Sequence, residues 1–83
     1  METLALNQTV TIISSDDIGV ISMTHEKDGH DPLIDLAYMH LDDANLYSGT
    51  FIFDNCGRWT LSYGDRTLDV TVDKLSSVTT IKL

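Results

Sequence analysis

Apolar and polar residues alternate along most of this chain with a period of two. The alternation is cleanest over residues 49–72, GTFIFDNCGRWTLSYGDRTLDVTV. Phe51 and Phe53 fall on one side of the first run, Thr50 and Ile52 on the other. Trp59, Leu61 and Tyr63 oppose Thr60 and Ser62, and Leu68, Val70 and Val72 oppose Asp69 and Thr71. Side chains two apart on a strand share a face, so each run predicts a half-buried strand with one inward side. Asp54-Asn55-Cys56-Gly57 and Gly64-Asp65 supply residues that tolerate positive φ where a hairpin reverses. The stretch reads as a β-meander that places Phe51, Phe53, Trp59, Leu61, Leu68 and Val70 in the core.

The flanking segments carry the same period less cleanly. In residues 4–13, Val10 and Ile12 alternate with Thr9 and Thr11 while Ile13 falls out of step, as in an edge or sheet-switching strand. Ser14-Ser15-Asp16-Asp17 is a turn cluster, since each side chain can bond nearby backbone. A helix cap is the competing reading, but the β-branched, glycine-broken Ile18-Gly19-Val20-Ile21 that follows favours a strand over residues 18–26. Lys27-Asp28-Gly29-His30 holds an Asp-Gly reversal signal. In residues 33–41, Ile34, Leu36 and Tyr38 form one row and Asp35, Ala37 and Met39 the other. Ile34, Ala37, Tyr38 and Leu41 also fit a helical period, but strands on both sides favour a strand here, opened by Pro32. Asp42-Asp43-Ala44-Asn45 reads as a polar loop, and residues 78–83 as a last strand. About seven short strands separated by turns predict a single all-β domain over residues 1–83, a small antiparallel β-sandwich.

Composition narrows the function classes. With 83 residues the chain is near the size where one core is just adequate. Such a domain is stable by about 4–12 kcal/mol. Thirteen acidic residues against five basic ones give a net charge of −8, a field that repels phosphate backbones and argues against nucleic acid as a ligand. It would suit a basic partner or solubility in a crowded assembly. The single cysteine, Cys56, cannot form an internal disulfide. Met1-Glu2-Thr3 lacks the basic and apolar regions of a signal peptide, and no run is long enough to cross a membrane, so cytoplasmic synthesis is expected.

Candidate chemistry is sparse. His25, Asp28, His30 and Asp31 cluster about one hairpin, with His40 further on, but no second group at a recognised spacing completes a metal site. They read as solvated turn residues. Asp16-Asp17 and Asp42-Asp43 lack the alternate spacing and glycine of a calcium loop, and adjacent carboxylates in polar turns read as solvated. Cys56 has no base beside it in sequence, so it reads as a tolerated turn thiol rather than a nucleophile. No phosphate loop, serine elbow or nucleotide motif is present. The expectation is a protein that is not an enzyme and has no cofactor or metal.

Residues 49–72 resemble the last three strands of immunoglobulin-like sandwiches of the kind that recur in bacterial surface proteins and bacteriophage virions. The residues that carry the resemblance are Gly49-Thr50-Phe51, the turn Asn55 to Gly57, the aromatic strand Trp59 to Tyr63, and Val70-Thr71-Val72. The resemblance covers about a third of the chain; the paired cysteines of antibody domains are missing, and residues 78–83 follow the expected final strand. It implies a virion component, such as a capsid decoration, head–tail neck or tail protein, that binds copies of itself or a capsid or tail protein. A carbohydrate or cell-surface binding module is the first alternative and would need Trp59 exposed. An acidic inhibitor of a host protein is the second, and would need its carboxylates on one face. Residues 4–13 and 78–83 carry little of the charge or proline that protects sheet edges, so they are the expected contacts, with Val78, Thr80 and Leu83 at the interface. On that reading, deleting 78–83 would leave a folded monomer that no longer assembles.

Overall fold

Two β-sheets share one apolar core. The computed structural model describes residues 2–25 and 33–83, and among them nine strands and no helix occur. The five-stranded sheet runs β1 (Glu2–Ala5), β8 (Arg66–Asp73), β7 (Gly57–Tyr63), β3 (Val20–His25), β4 (Leu33–Tyr38) in spatial order. The four-stranded sheet runs β5 (His40–Leu41), β6 (Tyr47–Ile52), β2 (Thr9–Ser14), β9 (Thr80–Lys82). The inward rows of both sheets meet in a single cluster. Leu4, Ile21, Met23, Trp59, Leu61, Val70 and Val72 come from the first sheet, and Val10, Ile12 and Ile81 from the second, with Phe53 beside them.

The chain crosses between the sheets wherever a residue can turn it. Residues 4–13 are not one strand: Asn7 adopts φ 58° and its N–H donates to the Phe53 carbonyl at 2.8 Å, so β1 joins one sheet and β2 the other. Asparagine tolerates this left-handed conformation better than most residues. Residues 33–41 are strand, as expected over helix, but break at Met39, where the chain leaves β4 for β5. The crossing is tight: a Cβ built on Gly49 of β6 would lie 2.7 Å from the Tyr38 carbonyl oxygen and 2.9 Å from Met39 Sδ. Only glycine lets β6 run beneath this corner.

Three expectations need correction. The strands number nine rather than about seven, because both sheet-switching segments divide. The sandwich is mixed rather than antiparallel, since β1 runs parallel to β8 and β9 parallel to β2. Residues 49–72 do not form a meander: β6 pairs with β2 and β5 in one sheet, while β7 and β8 pair in the other. Within residues 49–72 only the Gly64-Asp65 turn joins neighbours in a ladder, with Gly64 at φ 60° in the first central position, as a tight two-residue hairpin needs. The turn signal at residues 54–57 marks a crossing between sheets. It is held by Trp59, whose Nε1–H donates to the Asn55 carbonyl at 3.0 Å.

Candidate interaction edge

The six residues placed in the core by periodicity sit as follows. Phe53, Trp59, Leu61 and Val70 are buried, and Phe51 and Leu68 are half-buried against them. Edge-to-face contacts join Phe51, Phe53 and Trp59, with ring centroids 4.8 to 6.0 Å apart. Of the expected contact positions, Val78 and Thr80 are exposed and Leu83 is half-buried. Between them Ile81 is buried, and its strand pairs with β2. Thr11 N–H donates to the Thr79 carbonyl and Leu83 N–H to that of Ile13, so one side of β9 is used within the domain.

His25 is not a solvated turn residue. It lies at the end of β3 on the inward face and is 5% exposed. Its ring stacks on Trp59 with centroids 4.7 Å apart. Nε2 lies 2.9 Å from the Cys56 carbonyl oxygen, which can only accept, so Nε2 carries the hydrogen. Nδ1 is buried and has no partner among the described residues. His25 thus ties the crossing between β6 and β7 to β3. Asp28, His30, Asp31 and the Asp-Gly reversal lie outside the described residues; His40 is exposed on β5. Among the described residues no three potential metal ligands come together. Asp42 is structural as well as polar, its Oδ1 accepting from the N–H groups of Ala44 at 2.9 Å and Leu46 at 3.0 Å. Cys56 is an exposed free thiol.

The feature that the sequence pattern left unassigned is the row Ile34, Leu36, Tyr38 on β4. The outer face of the five-stranded sheet is hydroxyl-rich over most of its width: Thr67, Asp69 and Thr71 on β8, Arg58, Thr60 and Ser62 on β7, Ser22 and Thr24 on β3. At β4 this changes. Ile34 is 68% exposed, Leu36 51% and Tyr38 62%, with Val20 (41%) paired beside Tyr38. The inward row is instead Ala37 and Met39, both buried. Bulk alone would put the larger side chains inside. Register decides otherwise, because Ala37 pairs with the inward Ile21 and Asp35 with the inward Met23. Cross-strand partners share a face. The register would have revealed the row from sequence, but it depends on the hairpin between β3 and β4.

The same strand is a sheet edge. Its one ladder partner among the described residues is β3. Met39 N–H donates to the Gly19 carbonyl at 2.8 Å, one step beyond the Val20–Tyr38 pair. Bonded and non-bonded pairs alternate along an antiparallel ladder, so residues 33, 35 and 37 aim their main-chain groups at β3. Ile34 and Leu36 then aim theirs at the open side, as Tyr38 does its N–H, while the Tyr38 carbonyl turns toward Gly49 at the corner into β5. The Tyr63–Arg66 pair that closes the β7–β8 hairpin sets the same phase, counted across β7 and β3. Ile34 and Leu36 therefore present both an exposed apolar side chain and unpaired N–H and C=O groups, whereas Tyr38 leaves only its exposed ring and N–H at the edge. Comparison with protein-family models, with curated proteins and with solved structures finds no match for this chain.

Proposed function

We propose that this chain is a non-enzymatic assembly module, an immunoglobulin-like sandwich that works through protein–protein contacts as a structural component of a bacteriophage particle. The observation that carries the contact reading is the apolar row on the open edge of β4. Soluble proteins usually blunt such edges with charge, proline or bulges; β4 carries one charge, Asp35, on its inward row but none on the outward row, and such an edge is a template for strand addition. Ile34, Leu36 and Tyr38 expose roughly 400 Å² between them, the size at which an apolar patch on a monomer is often functional.

The immunoglobulin-like part of the reading is supported by strand order. Strands β2, β3 and β5 to β8 stand in the relation of B, C, D, E, F and G in that plan, with D-E-B on one sheet and G-F-C on the other. In the same terms β4 extends the G-F-C sheet, and β9 occupies the place beside B. The virion setting is supported by the resemblance of residues 49–72 and by the acidic charge. The carbohydrate reading loses its main support because Trp59 has no exposed surface.

Mass spectrometry of purified particles from cells that make the protein is expected to find its peptides at stoichiometric abundance. A protein found only outside particles would overturn the virion setting. A threonine triple variant at Ile34, Leu36 and Tyr38 that still incorporates normally would overturn the role of the edge.

A further inference from the structure

We infer that β4 is the seat of a two-fold contact between two copies of this chain, their edges pairing antiparallel with Leu36 on the axis. This rests on the assembly reading and names its first partner and register. Among the described residues only 34, 36 and 38 face the open side, so bonded pairs across the contact join even-numbered residues. Centring the pair on Asp35 or on Ala37 leaves one of the three without a facing residue in the row. Centring it on Leu36 uses all three and exchanges about four main-chain hydrogen bonds, the Tyr38 carbonyls being turned toward Gly49.

The side chains select the same register. Ile34 faces the second copy's Tyr38, and Leu36 faces its own counterpart, which are favourable aromatic–aliphatic and aliphatic cross-strand pairs. On the other face Asp35 falls opposite the second copy's Ala37. Centring on Asp35 would set two carboxylates directly against each other, a destabilising arrangement. The strand is thus self-complementary in shape and charge in one register, as an isologous contact requires.

Area sets the strength. Two rows of roughly 400 Å² fall below the ~1,200 Å² of a stable standard interface, so an isolated pair is weak and gains from many copies held together. Each copy carries −8, so repulsion opposes the encounter and salt should strengthen it. A basic partner at this edge would show the opposite salt dependence.

The test reads register. In a Cys56→Ser background, which removes the exposed native thiol, Leu36→Cys should oxidise to a covalent dimer. Facing residues in a bonded pair have Cα atoms about 5.5 Å apart, within disulfide range. Ile34→Cys and Tyr38→Cys should each stay monomeric alone and cross-link when mixed. In sedimentation equilibrium, Leu36→Lys should weaken association about tenfold or more, and added salt should strengthen the wild type. Circular dichroism and Trp59 emission would show that the variants fold. Leu36→Cys linking no faster than Thr67→Cys on the exposed face of β8, or a wild type monomeric at millimolar concentration in high salt, would overturn the pairing. If Leu36→Lys nonetheless leaves the particle fraction, the pairing alone is wrong and the role of the edge in assembly stands; if it incorporates normally, the pairing and the role of the edge both fall.

Discussion

At Gly49 the chain has no room for a side chain. The nearest obstacle is the Tyr38 carbonyl, which is backbone and fixed by the corner between β4 and β5, whereas Met39 Sδ could move aside. Gly49→Ala should therefore cost about 1–3 kcal/mol, as overpacking does, read as a lower urea midpoint with an unchanged slope. Gly64→Ala is the contrast: nothing lies within 4 Å of its Cβ, so only the left-handed φ of 60° penalises it, by about 1–2 kcal/mol. His25 makes a sharper test at this scale. Stacked on Trp59 and bonded to the Cys56 carbonyl, it should cost about 2–3 kcal/mol as His25→Ala and less as His25→Phe, which keeps the stack. Were it the solvated turn residue that its polar neighbours in sequence imply, both variants would fall within about 0.5 kcal/mol of wild type. Urea titrations of the two decide it. The misreading had a physical origin: histidine is ambivalent about burial, and only the inward phase of Ile21 and Met23, continued two residues on, marks His25 as a core position.

Among the elements, β9 shows what a local period leaves open. Residues 78–83 look like an edge free to meet another chain. In the fold, Ile81 is 2% exposed and β9 is bonded along one side to β2. Ile81→Ala should cost about 2–5 kcal/mol, much of the domain's stability. Deleting residues 78–83 should go further, opening the core over Val10 and Ile12 and lowering the melting temperature steeply in calorimetry. A deletion variant that melts within a few degrees of the full chain would show that β9 is dispensable to the core. The strands themselves were legible. The alternation at Val10 and Ile12, at Ile21 and Met23, and at Trp59 and Leu61 gives their inward faces correctly, because period two is a property of each strand alone. Partners were not. Whether β6 pairs with β7 or with β2 is set by contacts across some 40 residues, and turn residues such as Asn55 and Gly57 serve a crossing as well as a hairpin. The orientation of β4 was lost for the same reason, since only its register with β3 turns Ile34, Leu36 and Tyr38 outward.

For the molecule as a whole the governing quantity is charge. Thirteen acidic and five basic residues in 83 leave −8 on a body with a radius of gyration of 12.4 Å. Asp16 and Asp17 before β3, Asp42 and Asp43 after β5 and Asp65 in the β7–β8 hairpin lie at one end of the sandwich, with Asp54 beyond β6 at the other. Like charges spread over so small a body repel one another more in the folded state than in the expanded chain, so the native state carries a self-repulsion that salt can screen. The Debye length falls from about 30 Å at 0.01 M to about 8 Å at 0.15 M, from longer than the molecule's radius to shorter. Raising sodium chloride over that range should therefore raise the melting temperature by several degrees, since 1 kcal/mol moves a domain of this size by about 4–8 °C. Potassium chloride at equal ionic strength should act alike, because screening does not depend on which cation provides it. A melting temperature that rises with micromolar divalent cation, and hardly at all with monovalent salt, would instead locate the effect at a specific site. A temperature flat in both would show that repulsion among the carboxylates already lies below what folding feels.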